Sequence, residues 1–164
     1  MCYNTNDMEK TNVMRILAQK KISFEPHNYE GTGAISGMEI ATVQGQDPNR
    51  VFKTLVTVGA SKNNYVFLVP VNCDLDLKKA AKAVGEKSIA MIKSKELLPL
   101  TGYIHGGCSP IGMKKQFATT VHSTFEDYDT VFFSAGKIGY QVELNPTDLG
   151  KVIRYGKADI IVDR

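Results

Sequence analysis

Two runs constrain the fold more than any other part of the chain: Val51-Phe52-Lys53-Thr54-Leu55-Val56-Thr57-Val58-Gly59 and Tyr65-Val66-Phe67-Leu68-Val69-Pro70-Val71. Both are rich in β-branched and aromatic residues, and Ser61-Lys62-Asn63-Asn64 between them is small or polar, so the pair predicts a β-hairpin. A second hairpin is predicted where Thr130-Val131-Phe132-Phe133-Ser134 and Tyr140-Gln141-Val142-Glu143-Leu144 flank the turn Gly136-Lys137-Ile138-Gly139. Ile22-Ser23-Phe24-Glu25 alternates like a strand and runs into Pro26, whose missing N–H confines it to a sheet edge. Residues 88–92, 117–121 and 159–162 complete the predicted strands.

Helical signals are short and lie between these runs. Val13, Ile16, Leu17 and Lys20 fall on one face of a helix, and Ser36 with Glu39 forms a capping box that Gly45 closes. Asp47-Pro48 predicts a single helical turn, and Asp76 caps a helix that ends at Gly85. Ser94 caps a short helix through Leu98, and Asn145-Pro146 opens one reaching about Ile153. Hairpins outnumber βαβ crossovers, which predicts an α+β fold: a mixed, mostly antiparallel sheet, curled or closed into a barrel, with helices packed outside. With 164 residues and no linker or repeat, residues 1–164 are expected to form one domain.

Composition excludes several classes. No apolar run approaches the roughly 18 residues that span a bilayer, and the polar start Met1-Cys2-Tyr3-Asn4-Thr5-Asn6-Asp7 lacks the apolar core of a signal peptide, so a cytoplasmic protein with no membrane partner is expected. Cys2, Cys73 and Cys108 form no C-x-x-C pair and leave one odd. Neither a disulfide framework nor a zinc site is indicated. His27, His105 and His122 are scattered, and no metal or cofactor is expected. A net charge of +3 permits a polyanionic partner without demonstrating one.

The chemistry-bearing stretch is Gly106-Gly107-Cys108-Ser109-Pro110-Ile111-Gly112-Met113-Lys114-Lys115. Glycine permits positive φ and close approach, and proline stiffens the chain, so main-chain N–H groups could meet a phosphate, a carbonyl oxygen or a terminal sugar. The same composition also suits a plain turn between strands. Lys53 sits mid-strand, where it faces either solvent or a cleft. Lys78, Lys79 and Lys82 mark either a solvated helix face or a contact to a nucleic-acid backbone. Cys108 could serve as a nucleophile only with a base beside it; His105, three positions away, lies roughly 10 Å off along an extended chain. No G-x-S-x-G elbow or phosphate loop with G-K-[ST] occurs.

Taken in order, Val51-Phe52-Lys53-Thr54-Leu55-Val56, Leu75-Asp76-Leu77-Lys78-Lys79-Ala80-Ala81-Lys82, Thr101-Gly102-Tyr103, the glycine loop with its lysine pair, and Ser134-Ala135-Gly136-Lys137 make the chain resemble the YbaK/EbsC family. Its members are free-standing deacylases of the Cys-tRNA(Pro) type, similar to the editing domain inserted in bacterial prolyl-tRNA synthetases. The likeness extends from about Lys10 to the last predicted strand.

The resemblance implies a substrate, the acceptor end of an aminoacyl-tRNA, and makes prolyl-tRNA synthetase a candidate partner. By position, the family's essential lysine falls on Lys53 with Thr54 beside it, and its G-x-x-x-P loop on Gly106, Gly107, Cys108, Ser109 and Pro110. Its serine-glycine turn falls on Ser134 to Gly136, and a substrate-side tyrosine on Tyr29. Cysteine-specific members are held to work without a protein nucleophile: the substrate's own thiol attacks the ester and leaves as a cyclic thiolactone. Lys53 then holds the acceptor end or the developing charge, N–H groups near Gly107 and Cys108 polarise the carbonyl, and Cys108 only lines the pocket. Relatives without cysteine specificity use water and remove alanine or other small residues. A non-catalytic tRNA- or synthetase-binding module is the alternative from another class. Two positions depart from the pattern: no aromatic stands near Ser36, and Gln141 replaces an acidic residue of some cysteine-specific relatives.

Overall fold

The computed structural model describes residues 10–163, so Cys2 and the polar start lie outside the described residues. Four helices, α1 (Asn12–Gln19), α2 (Gly37–Val43), α3 (Leu77–Val84) and α4 (Ser94–Thr101), alternate with β1 (Glu25–Asn28), β2 (Phe52–Gly59), β3 (Asn64–Pro70), β4 (Ile89–Met91), β5 (Ala118–His122), β6 (Val131–Ser134), β7 (Tyr140–Leu144) and β8 (Tyr155–Ala158). The predicted hairpins are β2–β3, in register from Phe52 opposite Pro70 to Val58 opposite Asn64, and β6–β7. They nucleate two different sheets. One is β4-β2-β3-β5-β8, with β5 and β8 added in parallel; the other is β1-β7-β6, wholly antiparallel.

The fold is α+β and mixed, with four antiparallel pairings and two parallel ones. The barrel alternative is not realised: the sheets stay open, and an isolated bridge between Val51 and Phe132 links them. Between them lies the main core. Alternation turns Phe52 and Val56 of β2 and Val66 and Leu68 of β3 inward to meet Phe133, Val142 and Leu144 of the small sheet, and α1 adds Val13, Met14 and Leu17. Each of these side chains stabilises the fold by roughly 1.5–3 kcal/mol. On the opposite face of the large sheet, Phe67 and Val69 pack against Ala80 and Ala81 of α3. Leu77, at the start of α3, is exposed.

The caps follow the sequence. The Ser36–Glu39 capping box forms, Asp76 accepts from the N–H groups of Lys78 and Lys79, and Gly85 ends α3 at φ 75°. Four boundaries differ. Residues 159–162 are not the last strand, because Ile160 is fully buried against the α3 layer and Ile161 makes only an isolated bridge to Leu75; the strand is β8, held by its parallel ladder on β5. The first strand starts at Glu25, since Ile22 turns into the core after Lys21 at φ 59°. Helix α4 continues past Leu98, carrying Pro99, until Gly102 stops it at φ 85°. Asn145-Pro146 opens a 3-10 stretch, Pro146–Lys151, in place of a helix to Ile153.

Candidate functional site

Strand β4 covers only the Thr57–Gly59 end of β2. Upstream, residues 52–55 run as an edge left open between the Val51–Phe132 bridge and the Ile92–Val56 hydrogen bond, along a cavity of about 430 Å³. The Ile92 N–H reaches Val56 O at 3.4 Å, which marks the edge toward which alternate residues Val56 and Thr54 turn their peptide groups. An open strand edge is a ready partner for an extended polar ligand. Around it the cavity is walled by Tyr29, α2 and the residues before it, Met91 to Ser94 at the start of α4, the glycine loop, and Ser134 and Gln141 of the small sheet.

The loop is built by its glycines. The Gly107 N–H bonds Ile104 O at 2.9 Å and closes a turn in which Gly106 has φ 88°, a conformation that favours glycine at that position. Gly107 is there for a different reason: a Cβ on it would lie 3.1 Å from Ile138 N and 3.4 Å from Lys137 C, so the loop lies directly on the turn after β6. Tyr103 pins both segments. Its hydroxyl donates to Ile111 O at 2.5 Å, and a Cβ on Gly112 or Gly136 would meet its hydroxyl or ring at 2.8 and 3.0 Å.

Lys53, Thr54, Tyr29, Gly106, Cys108 and Ser134 thus line one cavity. Gly107, Ser109, Pro110 and Gly136 do not line it. Ser109 and Pro110 are buried beneath it, where Ser109 Oγ accepts from the Ile111 N–H, and the Gly136 N–H bonds Ser134 Oγ. Since the Gly107 N–H is committed to Ile104, the main-chain donors of the loop left without a protein acceptor among the described residues include those of Gly106 and Cys108, which line the cavity. The Lys53 ammonium is only loosely held, 3.9 Å from a carboxylate oxygen of exposed Asp74. Thr54 Oγ1 is buried without a partner among the described residues, which is unusual for a buried hydroxyl.

The placement of three features of the site escapes sequence reasoning. Helix α2 forms a wall, bringing Ser36, Met38 and Ile40 to the cavity. Gln141, 3% exposed, accepts from Nε2 of Gln44 at 3.0 Å and of Gln46 at 2.8 Å, so a buried amide cluster ties the end of α2 to β7. His105 stands exposed at the cavity. The capping box signals α2, and the sequence marks Gln141 as a departure from the family pattern and His105 as a neighbour of Cys108, but none of these signals places the residue on the cavity.

The lining contains Lys53 and Lys93 and no carboxylate, a surface suited to an anionic ligand. Burial pushes the Cys108 thiol up to about 12. Tyr103 is raised to about 12 as well, by burial first and by neighbouring Cys108 second. Among the described residues, no group of three or more His, Cys, Asp or Glu side chains is placed to hold a metal ion, and no helix is long and apolar enough to cross a membrane.

The aminoacyl-tRNA editing domain family matches residues 36–152, a span that holds the β2 edge, the glycine loop and the β6–β7 turn. A curated protein of Enterococcus faecalis (strain ATCC 700802 / V583), provisionally named Cys-tRNA(Pro)/Cys-tRNA(Cys) deacylase EbsC, is 45% identical over 139 residues, which cover 84% of this chain and 85% of that protein. Two solved structures share the fold. A provisional trans-editing enzyme for prolyl tRNA synthetase superposes with TM-score 0.80 at 23% identity, covering 92% of this chain and 95% of its own. Hypothetical protein APE2540 does so with TM-score 0.83 at 19% identity, covering 94% and 100%. Sequence, fold and cavity agree, and the chain belongs to the aminoacyl-tRNA editing domain family.

Proposed function

We infer that this protein is an aminoacyl-tRNA deacylase that acts in trans, clearing mischarged cysteine from Cys-tRNA(Pro), with residues 1–164 working as one domain. The observation that carries the reading is the shared cavity, in which Lys53 and the Gly106–Cys108 loop form walls of one carboxylate-free hollow. Such a factor is needed because a synthetase pocket separates near-isosteres by only about 1–3 kcal/mol. The cavity takes the aminoacylated 3′ end. Prolyl-tRNA synthetase is the partner whose error is corrected, and the cytoplasm is the compartment.

The chemistry needs no protein nucleophile. A substrate thiol held close to its own ester carbonyl can reach an effective molarity of about 10⁵ M or more. Lys53 offers a cation to the terminal phosphate or the developing oxyanion, and the Gly106 and Cys108 N–H groups are the donors available to the carbonyl oxygen. Cys108 is a poor nucleophile here: with its thiol near 12, only about one part in 10⁵ is thiolate at pH 7. Cys108→Ala is therefore expected to keep activity of the same order as the parent, measured as the rate of Cys-tRNA(Pro) discharge. Its inactivation with the fold intact would point to covalent catalysis.

A second reading, hydrolysis by water of alanyl or other small-residue esters, is favoured by one observation: the neutral Gln141 amide at the cavity wall. A deacylation panel across Cys-, Ala- and Pro-charged tRNA tests both. Cysteine discharged fastest, as thiolactone, supports the first reading, and alanine discharged fastest supports the second. Salt-sensitive tRNA binding without discharge of any ester would make this a binding module and end the enzymatic reading.

A further inference from the structure

Ester cleavage in this cavity moves a proton. The attacking thiol must lose one, and the ribose oxygen that leaves must gain one. Few groups facing the cavity could carry it. Lys53 and Lys93 are cations, Tyr29 is a phenol 5% exposed, the Cys108 thiol is held near 12 by burial, and there is no carboxylate. The remaining side chain able to take up and hand back a proton is the imidazole of His105.

Its position is fixed from below. The Ile104–Gly107 hydrogen bond closes a turn with His105 and Gly106 as its middle residues, and Gly107 rests on the backbone of Lys137 and Ile138. The ring itself is exposed, and no hydrogen bond or ion pair among the described residues engages it. The residue lines the cavity next to Gly106, whose N–H has no protein acceptor among the described residues. Among the described residues that line the cavity, the imidazole thus sits on the same loop as the Gly106 and Cys108 N–H groups.

We propose, on the strength of the deacylase reading, that His105 is the catalytic base and acid of the reaction. A ring nitrogen takes the S–H proton as sulfur bonds to the ester carbon. The tetrahedral intermediate collapses, the bond from carbon to the ribose oxygen breaks, and the same nitrogen returns the proton to that oxygen. No proton is gained or lost overall, and no co-reactant is needed. With water as nucleophile, the same ring takes the water's proton.

The test is steady-state discharge of Cys-tRNA(Pro) by the full chain and by His105→Ala and His105→Gln, from about pH 5.5 to 8.5. The variants are expected to lose about 100-fold or more in kcat with little change in KM. The fall in kcat toward acid pH, present in the parent because a protonated base cannot accept, should vanish in both. Added imidazole should restore part of the His105→Ala rate. Unchanged kcat, or a raised KM with the acid limb intact, overturns the proposal and leaves His105 as a contact for the tRNA end. A parent protein that discharges no ester overturns the deacylase reading along with it, whereas active parent and fully active variants overturn the proposal alone.

Discussion

Replacing Lys53 by alanine is expected to lower kcat/KM for Cys-tRNA(Pro) by about 100-fold or more, the usual cost of losing a preorganised partner of the developing charge. The fold should barely notice. The Lys53 side chain is one-third exposed, and its ion pair with Asp74 is 3.9 Å long to a partner that is 90% exposed, so the pair contributes at most about 1 kcal/mol. A melt within a few degrees of the parent, alongside lost discharge, would assign the effect to chemistry. Lys53→Arg should recover only part of the rate, since a planar guanidinium keeps the charge but places its donors differently. Full activity in Lys53→Ala would remove this residue from the site.

The second large effect is expected at Gly107, although it does not line the cavity. A side chain there meets backbone atoms, Ile138 N at 3.1 Å and Lys137 C at 3.4 Å, which cannot rotate away as a side chain could. Gly107→Val should separate the glycine loop from the turn after β6, destabilise the protein by about 1–3 kcal/mol, and cost at least about tenfold in discharge rate as the site loses its geometry. Gly85→Ala is the control. Gly85 also has positive φ, 75°, but its missing Cβ faces open space at the end of α3, so the strain of about 1–2 kcal/mol should come without loss of turnover. Thermal melts and initial rates on the two variants separate lost geometry from lost stability.

Much of this arrangement is legible in the chain because it depends on local rules. The β2–β3 hairpin, the Ser36 and Asp76 caps and the stops at Gly45 and Gly85 each follow from a few neighbouring residues. The glycine loop is legible as a loop, and Lys53 as an anomaly in a strand. What escapes prediction is held from a distance. Strand β8 (Tyr155–Ala158) has weak intrinsic preference and exists because β5 offers it a parallel ladder. The Gln141 amide meets Gln44 and Gln46 across 97 and 95 residues, a contact no local pattern encodes. The cavity exists because β4 stops short along β2, and strand ends are set by packing more than by composition. Sequence spacing gives His105 no role beside Cys108; the structure puts it on the cavity with Lys53.

The central claim is that Lys53 and the Gly106–Cys108 loop hold one aminoacyl ester between them. A structure of the protein with cysteine joined to the 3′ position of adenosine through an uncleavable amide tests it most directly. The amide carbonyl is expected inside the β2-edge cavity, within hydrogen-bonding reach of the Gly106 or Cys108 N–H, with the Lys53 ammonium beside the adenosine or the carbonyl oxygen. An analogue seated outside that cavity, or one touching neither the loop nor Lys53, would contradict the account.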